Sequence, residues 1–332
     1  MASLDLVHRS ELAARLRLRK PSLLHALTPE FQEHHLDFLT AALEAGSPTL
    51  FGDYLRWTGR VLGARGLQTD VLIENVAEVT NALLAKEEGD AASLIQLIHD
   101  GALARFAEPA APVIPETNAG LAAMRATFVE SALHGDRKAA LQLALDAQER
   151  ERDTTSLYVG LFQKSMHDVG RLWETNRITV AQEHMATATV QYVVAQLYSR
   201  LPTQPTVRGK ALITGVEGEH HQLGPNLVAD VLEARGFDVR FLGTDVPQAA
   251  VLSAVEEERP TLIGISTTMA FNLPKAIALV RALQSGQAVA PRILLGGAAF
   301  AATPDLVIEL GVFGIGRDVG EALALAESAG TT

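Results

Sequence analysis

The chain has 332 residues, of which 48% are hydrophobic and 20% charged, a composition typical of a folded protein of two or three domains. The net charge of −11 argues against non-specific nucleic-acid binding, and the absence of cysteine excludes disulfides, Cys-ligated zinc, iron–sulfur clusters and thioether-linked chromophores. No apolar run approaches the ~20 residues of a membrane span, so we expect a cytoplasmic protein that binds neither nucleic acid nor membrane.

The first region, residues 1–108, is predicted to be all helical. Ser10 and Thr28 are candidate N-caps, Pro29 suits a first helical position, and apolar stripes follow each start. The predicted helices are Ser10–Arg19, Pro29–Gly46, Ser47–Gly66, Val71–Lys86 and Ala91–Phe106. Their number and length predict a compact helical domain.

Prolines within Glu108–Pro115 favour an extended linker, which we assign to residues 109–116. The next region, 117–202, is predicted to be a four-helix bundle, with Asp136 capping its second helix. Its apolar patterns predict helices around Leu121–Ala132, Ala139–Glu151, Leu157–Trp173 and Val180–Tyr198.

Strands alternate with helices in the last region, residues 203–332. The predicted strands are Lys210–Gly215, Val239–Gly243, Leu262–Ser266, Arg292–Gly296 and Val312–Ile315, each followed by a helix. This alternation predicts a doubly wound, Rossmann-like parallel sheet. Ligands of such sheets bind at the carboxyl ends of the strands, so the loops there should hold the site.

The loop after the first of these strands contains Glu219-x-His221-x-x-Gly224. A histidine at a strand end can bind a metal through one ring nitrogen while a carboxylate two residues earlier accepts a hydrogen bond from the other. Gly224 leaves room for a bulky ligand. Taken alone, the loop could equally be a polar connection without a ligand.

Two further loops favour a ligand. Ser266 and Thr268 place hydroxyl groups after the third strand, and Gly296-Gly297 follows the fourth, where the missing side chains let a flat ligand approach. The three loops together resemble the signature of the cobalamin-binding domain. The resemblance implies base-off binding, with His221 as the lower cobalt ligand, Glu219 in place of the usual Asp, and the nucleotide tail beside Gly224, Leu223, Ser266, Thr268 and Gly296.

The predicted bundle carries a second motif. Trp173 precedes Glu183-His184 by nine intervening residues, and Val180 lies between them. A core tryptophan with solvated neighbours is the simpler interpretation. The spacing nevertheless resembles the cap of adenosylcobalamin photoreceptors of the CarH/LitR type, which implies that Trp173, Val180 and Glu183 contact the adenosyl group, with His184 nearby.

Two departures from that family concern the output. Glu174 follows the tryptophan where those receptors often have a histidine that captures cobalt after photolysis. The winged-helix DNA-binding module is also absent, and the chain is acidic. We therefore expect no direct DNA binding.

The N-terminal helices resemble a globin-like sensory domain, and the whole architecture resembles the photocobilins, which combine cobalamin with a bilin. Arg56 and Arg60 lie four residues apart on one helix face, beside aromatic side chains, and suit bilin propionates. A solvated basic face is the simpler interpretation. The candidate bilin contacts are His34, His35, Tyr54, Arg56, Trp57 and Arg60, and without cysteine biliverdin would bind non-covalently.

Three functions follow as hypotheses. The favoured one is a non-enzymatic light sensor in which green or blue light cleaves the Co–C bond of adenosylcobalamin, changing the cap and a homo-oligomeric assembly or the contact with a separate output protein. The alternative is a corrinoid methyl carrier of a methyltransferase system, which shares His221 and the loops but has no need of the Trp173 motif. The third is an interaction module that binds no cofactor.

Overall fold

The computed structural model describes residues 5–18, 29–109, 119–151, 153–202, 204–205, 208–286 and 291–329, without the side chains of 17–18, 29–34 and 119. The chain divides into two compact units. The first unit comprises Met1–Ala110, Thr267–Ser285 and Ala298–Val312, and the second comprises Ala111–Ser266, Gly286–Gly297 and Phe313–Thr332. The four-part domain division stays a prediction.

The N-terminal helices are α1 (Leu6–Leu18), α2 (Pro29–Ala45), α3 (Pro48–Ala64), α4 (Asp70–Leu84) and α5 (Gly89–Ala107). The predicted start of α1 at Ser10 is wrong, because Asp5 caps the first turn by accepting from the His8 N–H at 3.0 Å. Ser47 does cap α3. Thr28 lies outside the described residues. A helical N-terminal region is confirmed, and its globin-like character stays a prediction.

The bundle of the second unit contains α6 (Ala119–Leu133), α7 (Arg137–Arg150), α8 (Thr154–Leu157), a π-helical segment (Tyr158–Gln163), α9 (Lys164–Glu174) and α10 (Val180–Tyr198). The predicted Leu157–Trp173 helix is therefore interrupted by one wide turn. Gly160 lies in that turn, and a Cβ there would come within 2.3 Å of Leu121. Arg125 donates to the Gly160 carbonyl at 3.2 Å, which satisfies an acceptor that the wider turn displaces.

The strands are β1 (Lys210–Val216), β2 (Asp238–Val246), β3 (Leu262–Ser266), β4 (Arg292–Gly296) and β5 (Gly314–Gly316). They form a parallel sheet in the order β2-β1-β3-β4-β5, which confirms the Rossmann-like prediction. β2 continues three residues past its predicted end at Gly243, and β5 begins later than its predicted start at Val312. The strand order reverses between β1 and β3, so their carboxyl ends form the switch point where such sheets bind ligands.

The crossover segments follow the strands in turn. They are α11 (Leu223–Ala234), α12 (Gln248–Glu258), a 3₁₀ turn (Ala270–Asn272), α13 (Leu273–Gly286), α14 (Ala298–Ala301), α15 (Pro304–Glu309) and α16 (Val319–Ala329). One hydrophobic core in the second unit joins the bundle to the sheet region, with Phe128 and Phe162 packed in the same cluster as Leu227 and Val231. The bundle is thereby held against α11, the helix that follows the Glu219–His221 loop.

The first unit joins the N-terminal helices to segments from the end of the chain. Arg9 forms an ion pair with Glu309 of α15 at 2.5 Å, and the other Glu309 oxygen accepts from the Leu6 N–H at 3.1 Å. Phe38 of α2 meets Phe271 of the 3₁₀ turn edge to face, with ring centroids 5.5 Å apart. Over the described ranges, no helix is both long and apolar enough to cross a bilayer.

Candidate functional site

The loop between β1 and α11 holds a histidine–carboxylate pair. Glu219 is completely buried, and its Oε1 accepts from His221 Nδ1 at 2.5 Å and from the His221 N–H at 3.1 Å. The two-residue spacing lets one carboxylate oxygen reach both groups. A carboxylate partner keeps the proton on Nδ1, which leaves the Nε2 lone pair for a metal.

The imidazole of this pair is open to solvent although its partner is not. The His221 side chain is 54% exposed, whereas the Glu219 side chain is 0% exposed. Burial of the carboxylate strengthens its hydrogen bond and fixes the ring orientation. The result is an oriented imidazole presented at the carboxyl edge of the sheet.

The strands beside this loop bring further predicted residues to the same edge. Ser266 ends β3 and pairs in register with Gly215 of β1 on one side and Gly296 of β4 on the other. A Cβ at Gly224 would meet no atom within 4 Å, and at Gly296 it would meet only the Gly316 carbonyl at 3.5 Å. The edge next to His221 therefore has open space where a ligand can lie.

Other predicted members of the edge differ in their surroundings. Leu223, the first residue of α11, is half-buried. Gly297 has a φ of 93°, which favours glycine, and Thr268 belongs to the first unit. Thr267 also belongs to the first unit, and its buried Oγ1 has no hydrogen-bond partner within the described part of the chain.

The bundle residues lie on α9 and α10. Trp173 is half-buried against the hydrophobic core of the second unit, whereas the Val180 side chain is 53% exposed. Glu183 accepts from His184 Nδ1 at 2.5 Å and from the Thr187 hydroxyl at 2.9 Å, so its carboxylate is held along its own helix. These contacts fix the Glu183 carboxylate in one orientation. Glu174, which follows Trp173, is half-buried and is the last residue of α9.

The candidate bilin residues lie in the first unit. His35 and Tyr54 are buried, and His35 Nδ1 is hydrogen-bonded to the Tyr54 hydroxyl at 2.5 Å. Phe38 stacks on the Tyr54 ring, and the ring centroids of Tyr54 and Trp57 lie 6.3 Å apart. Arg56 donates to the Arg105 and Pro109 carbonyls, so the predicted solvated basic face is wrong for this residue. Arg60 is exposed, and the His34 side chain lies outside the described residues. Bilin binding stays a prediction.

Comparison with known protein families decides the ligand class. Residues 209–324 match the model of a B12 binding domain, and residues 124–198 match a second model of the same description. The chain carries B12 binding domains. The first match covers the sheet with its Glu219–His221 loop, and the second covers the bundle with Trp173 and Glu183.

Relatives of this B12-binding chain include corrinoid proteins and a regulator. Dimethylamine corrinoid protein 1 of Methanosarcina acetivorans is 25% identical over 194 residues, which is 58% of this chain and 90% of that protein. The HTH-type transcriptional repressor CarA of Myxococcus xanthus is 29% identical over 135 residues, 41% of this chain and 44% of the repressor.

A solved structure shows the same fold for part of the chain. The monomethylamine corrinoid protein of Methanosarcina barkeri aligns with 62% of this chain and 98% of its own length, with a TM-score of 0.54 at 20% identity. At this identity the likeness shows the fold alone, a helical region followed by a parallel-sheet domain.

The donor set of the loop fits cobalamin. The nitrogens of the corrin ring already hold the cobalt, so one neutral imidazole is the ligand that the protein has to supply. His221 offers Nε2 for this role because Glu219 engages Nδ1. The open space at Gly224 and Gly296 fits an extended tail on the cofactor.

Proposed function

We propose that this protein binds cobalamin with His221 Nε2 as the protein ligand to cobalt, and that it carries a cobalt-bound organic group beneath the helical bundle. The observation that supports this most directly is the pairing of the exposed His221 imidazole with the fully buried Glu219. When bound, cobalamin supplies a cobalt–carbon bond whose organic group can be transferred or released by light.

In this proposal each residue of the loop has a distinct task. Glu219 holds the proton on Nδ1 and raises the electron density at Nε2, which strengthens the histidine as a ligand. Gly224 and Gly296 keep the tail path free of side chains, and Ser266 offers a hydroxyl along it. Trp173 supplies an apolar surface on the bundle side.

The ligation can be tested by electron paramagnetic resonance on the loaded protein in the cobalt(II) state. Coordination by histidine splits the signal into a triplet with ¹⁴N and a doublet after labelling with ¹⁵N-histidine. We expect His221→Ala to abolish this splitting and His220→Ala, a change at an exposed neighbour, to retain it. Histidine splitting that persists in His221→Ala would contradict the assignment of this ligand.

The similarity to the dimethylamine corrinoid proteins favours a methyl group as the cargo. The match covers 58% of this chain and 90% of the first of those proteins. In this form the protein is a corrinoid methyl carrier, and its expected partner is a methyltransferase.

A specific feature of the bundle favours an adenosyl group and a light-sensing role instead. The Trp173 ring and the oriented Glu183 carboxylate provide an apolar face and a hydrogen-bond acceptor, which suit a nucleoside better than a methyl group. In this form loss of the adenosyl group in light changes the cap and the self-association of the protein or its contact with an output protein.

The two cargoes are distinguished by affinity in the dark. For an adenosyl carrier, we expect Trp173→Ala to weaken adenosylcobalamin binding at least tenfold and to leave methylcobalamin binding unchanged. For a methyl carrier, we expect adenosylcobalamin and methylcobalamin to bind with the same affinity, both to the wild type and to Trp173→Ala. Trp57→Ala, at the other tryptophan of the chain, is the matched control. Oligomer size measured before and after illumination is an independent test of the light-sensing role.

Biliverdin as a second, non-covalent chromophore rests on the architecture of the N-terminal helices. The structure lends it less support than cobalamin, because Arg56 already donates to two main-chain carbonyls and His35 is paired with Tyr54. An absorption spectrum of protein produced with both cobalamin and biliverdin tests it directly. Absence of a bilin band from the purified protein would end this part of the proposal.

A further inference from the structure

The peptide that leads into Glu219 is held by a side chain from a neighbouring strand. The Gly218 N–H donates to Asp245 Oδ1 at 2.7 Å, and Gly218 has a φ of 83°. Glu219 then turns back on β1 by donating its own N–H to the Val216 carbonyl at 3.0 Å. The start of the histidine loop is therefore attached at two places, once to β1 and once to the end of β2.

Asp245 reaches the loop because β2 carries an extra residue at this point. Thr214 and Val216 of β1 pair with Gly243 and Val246 of β2, so two steps along β1 correspond to three along β2. Such a bulge takes a residue out of the ladder and redirects its side chain, frequently next to a functional site. Here it releases Asp245 from the regular pairing and aims its carboxylate at Gly218.

The backbone of Asp245 is itself unusual. Its φ of 59° lies in the left-handed region, which is unfavourable for most residues and is tolerated best by Gly, Asn and Asp. Within the described residues, Asp245 forms no ion pair, and its carboxylate accepts its hydrogen bond from the Gly218 N–H. The strained backbone is thus accompanied by one contact, and that contact lies next to the histidine loop.

We propose that Asp245 is a positioning residue for the cobalt ligand, holding the Gly218–Glu219 peptide so that the Glu219 carboxylate meets both Nδ1 and the main-chain N–H of His221. The inference rests on the proposed function and extends it to a residue outside the histidine motif. Glu219 Oε1 must stay 2.5 Å from Nδ1 and 3.1 Å from the main-chain N–H, which tolerates little movement of the preceding peptide.

Three substitutions separate the hydrogen bond from the backbone strain. Asp245→Asn keeps a side-chain oxygen acceptor and tolerates the left-handed backbone. Asp245→Gly also tolerates this backbone but removes the acceptor. Asp238→Asn, at another acidic residue of β2 that pairs with Arg240, controls for the loss of a charge on this strand.

Two readouts follow, one without cofactor and one with it. In the cofactor-free protein, we expect Asp245→Gly to speed amide hydrogen exchange in residues 217–222, whereas Asp245→Asn and Asp238→Asn match the wild type. In the loaded protein, we expect Asp245→Gly to lower cobalamin affinity about tenfold and to reduce the fraction showing histidine splitting in the cobalt(II) resonance. If Asp245→Asn keeps both the slow hydrogen exchange and the cobalamin binding of the wild type, the side-chain acceptor, not the charge, is the positioning element.

The outcomes separate this inference from the proposed function. If the wild type binds cobalamin through His221 but Asp245→Gly does so with the same affinity and the same histidine splitting, the positioning role is wrong. If the wild type itself shows no histidine splitting, the proposed function fails, while the exchange experiment still reports on the Gly218 bond. If Asp245→Gly does not fold, Asp245→Ser, whose shorter side chain withdraws the acceptor, replaces it with the same readouts.

Discussion

At the scale of single residues, the site is built on the reach of one carboxylate. The cobalamin-binding resemblance has Asp where this chain has Glu219, and the extra methylene raised the question of whether His221 keeps its partner. The structure answers it, because the longer side chain is fully buried and still bonds to both the ring and the main-chain nitrogen of His221. The extra methylene of Glu219 therefore does not separate the carboxylate from His221.

Replacement of Glu219 by glutamine tests the contribution of its charge. Glu219→Gln has the same size and keeps an oxygen acceptor. The neutral amide, however, lacks the negative charge that the carboxylate places beside the Nδ1 proton, which makes Nε2 a weaker ligand. We expect cobalamin affinity to fall roughly ten- to hundredfold, in line with other partners of metal-bound histidines. Equilibrium titration followed by absorbance measures it, with Glu217→Gln at an exposed residue of the same loop as the control. Equal affinities for Glu219→Gln and the wild type would show that the charge is unimportant.

At the scale of elements, the π-helical turn brings a buried tyrosine to α11. The Tyr158 hydroxyl donates to Asp230 Oδ2 at 3.2 Å. Burial raises the pKa of Asp230 to about 7, and the negative charge of Glu233 adds to the rise, whereas the Tyr158 bond opposes it. The contact between bundle and sheet region thus contains a carboxyl group that is protonated more readily in the folded protein than in the unfolded chain.

This carboxyl group predicts a pH-dependent stability. Because its folded pKa lies above the unfolded value, the folded state binds the extra proton, and its stabilisation is full below about pH 4 and lost as pH rises through about 7. We expect Asp230 to lower the free energy of unfolding by on the order of 3 kcal/mol between these limits, and Asp230→Asn to remove that change. Urea unfolding at pH 5 and pH 8 measures the difference. The same pH dependence in Asp230→Asn and the wild type would assign it to other groups.

At the scale of the whole molecule, residues from opposite ends of the chain meet within the first unit. Arg9 has a nearly buried side chain, pairs with Glu309 and donates to the Glu44 carbonyl at 3.0 Å. Glu309 also accepts from the first turn of α1 through the Leu6 N–H. One carboxylate therefore serves both as an ion-pair partner and as a cap for α1.

Removing that carboxylate should loosen α1. Glu309→Gln removes one charged partner of the nearly buried Arg9 side chain, and we expect a loss of about 1–2 kcal/mol because Glu309 is itself partly exposed to solvent. Hydrogen exchange in residues 6–18 measures it. The exposed pair of Arg317 with Glu321 supplies the control, since Arg317→Gln should cost less than about 1 kcal/mol. Similar exchange in both variants would show that the Arg9 contact adds nothing specific.

The sequence by itself determined whatever depends on neighbours along the chain. Alternating apolar runs and helix signals located the strands, β3 and β4 to the residue. The spacing of Glu219, His221 and Gly224 placed the paired imidazole, because a two-residue separation closes within one loop. Only the tertiary structure decided the features that join distant segments. The β2 bulge that brings Asp245 to Gly218, the Tyr158–Asp230 bond and the Arg9–Glu309 pair all depend on packing between elements, and no local preference of either partner encodes them.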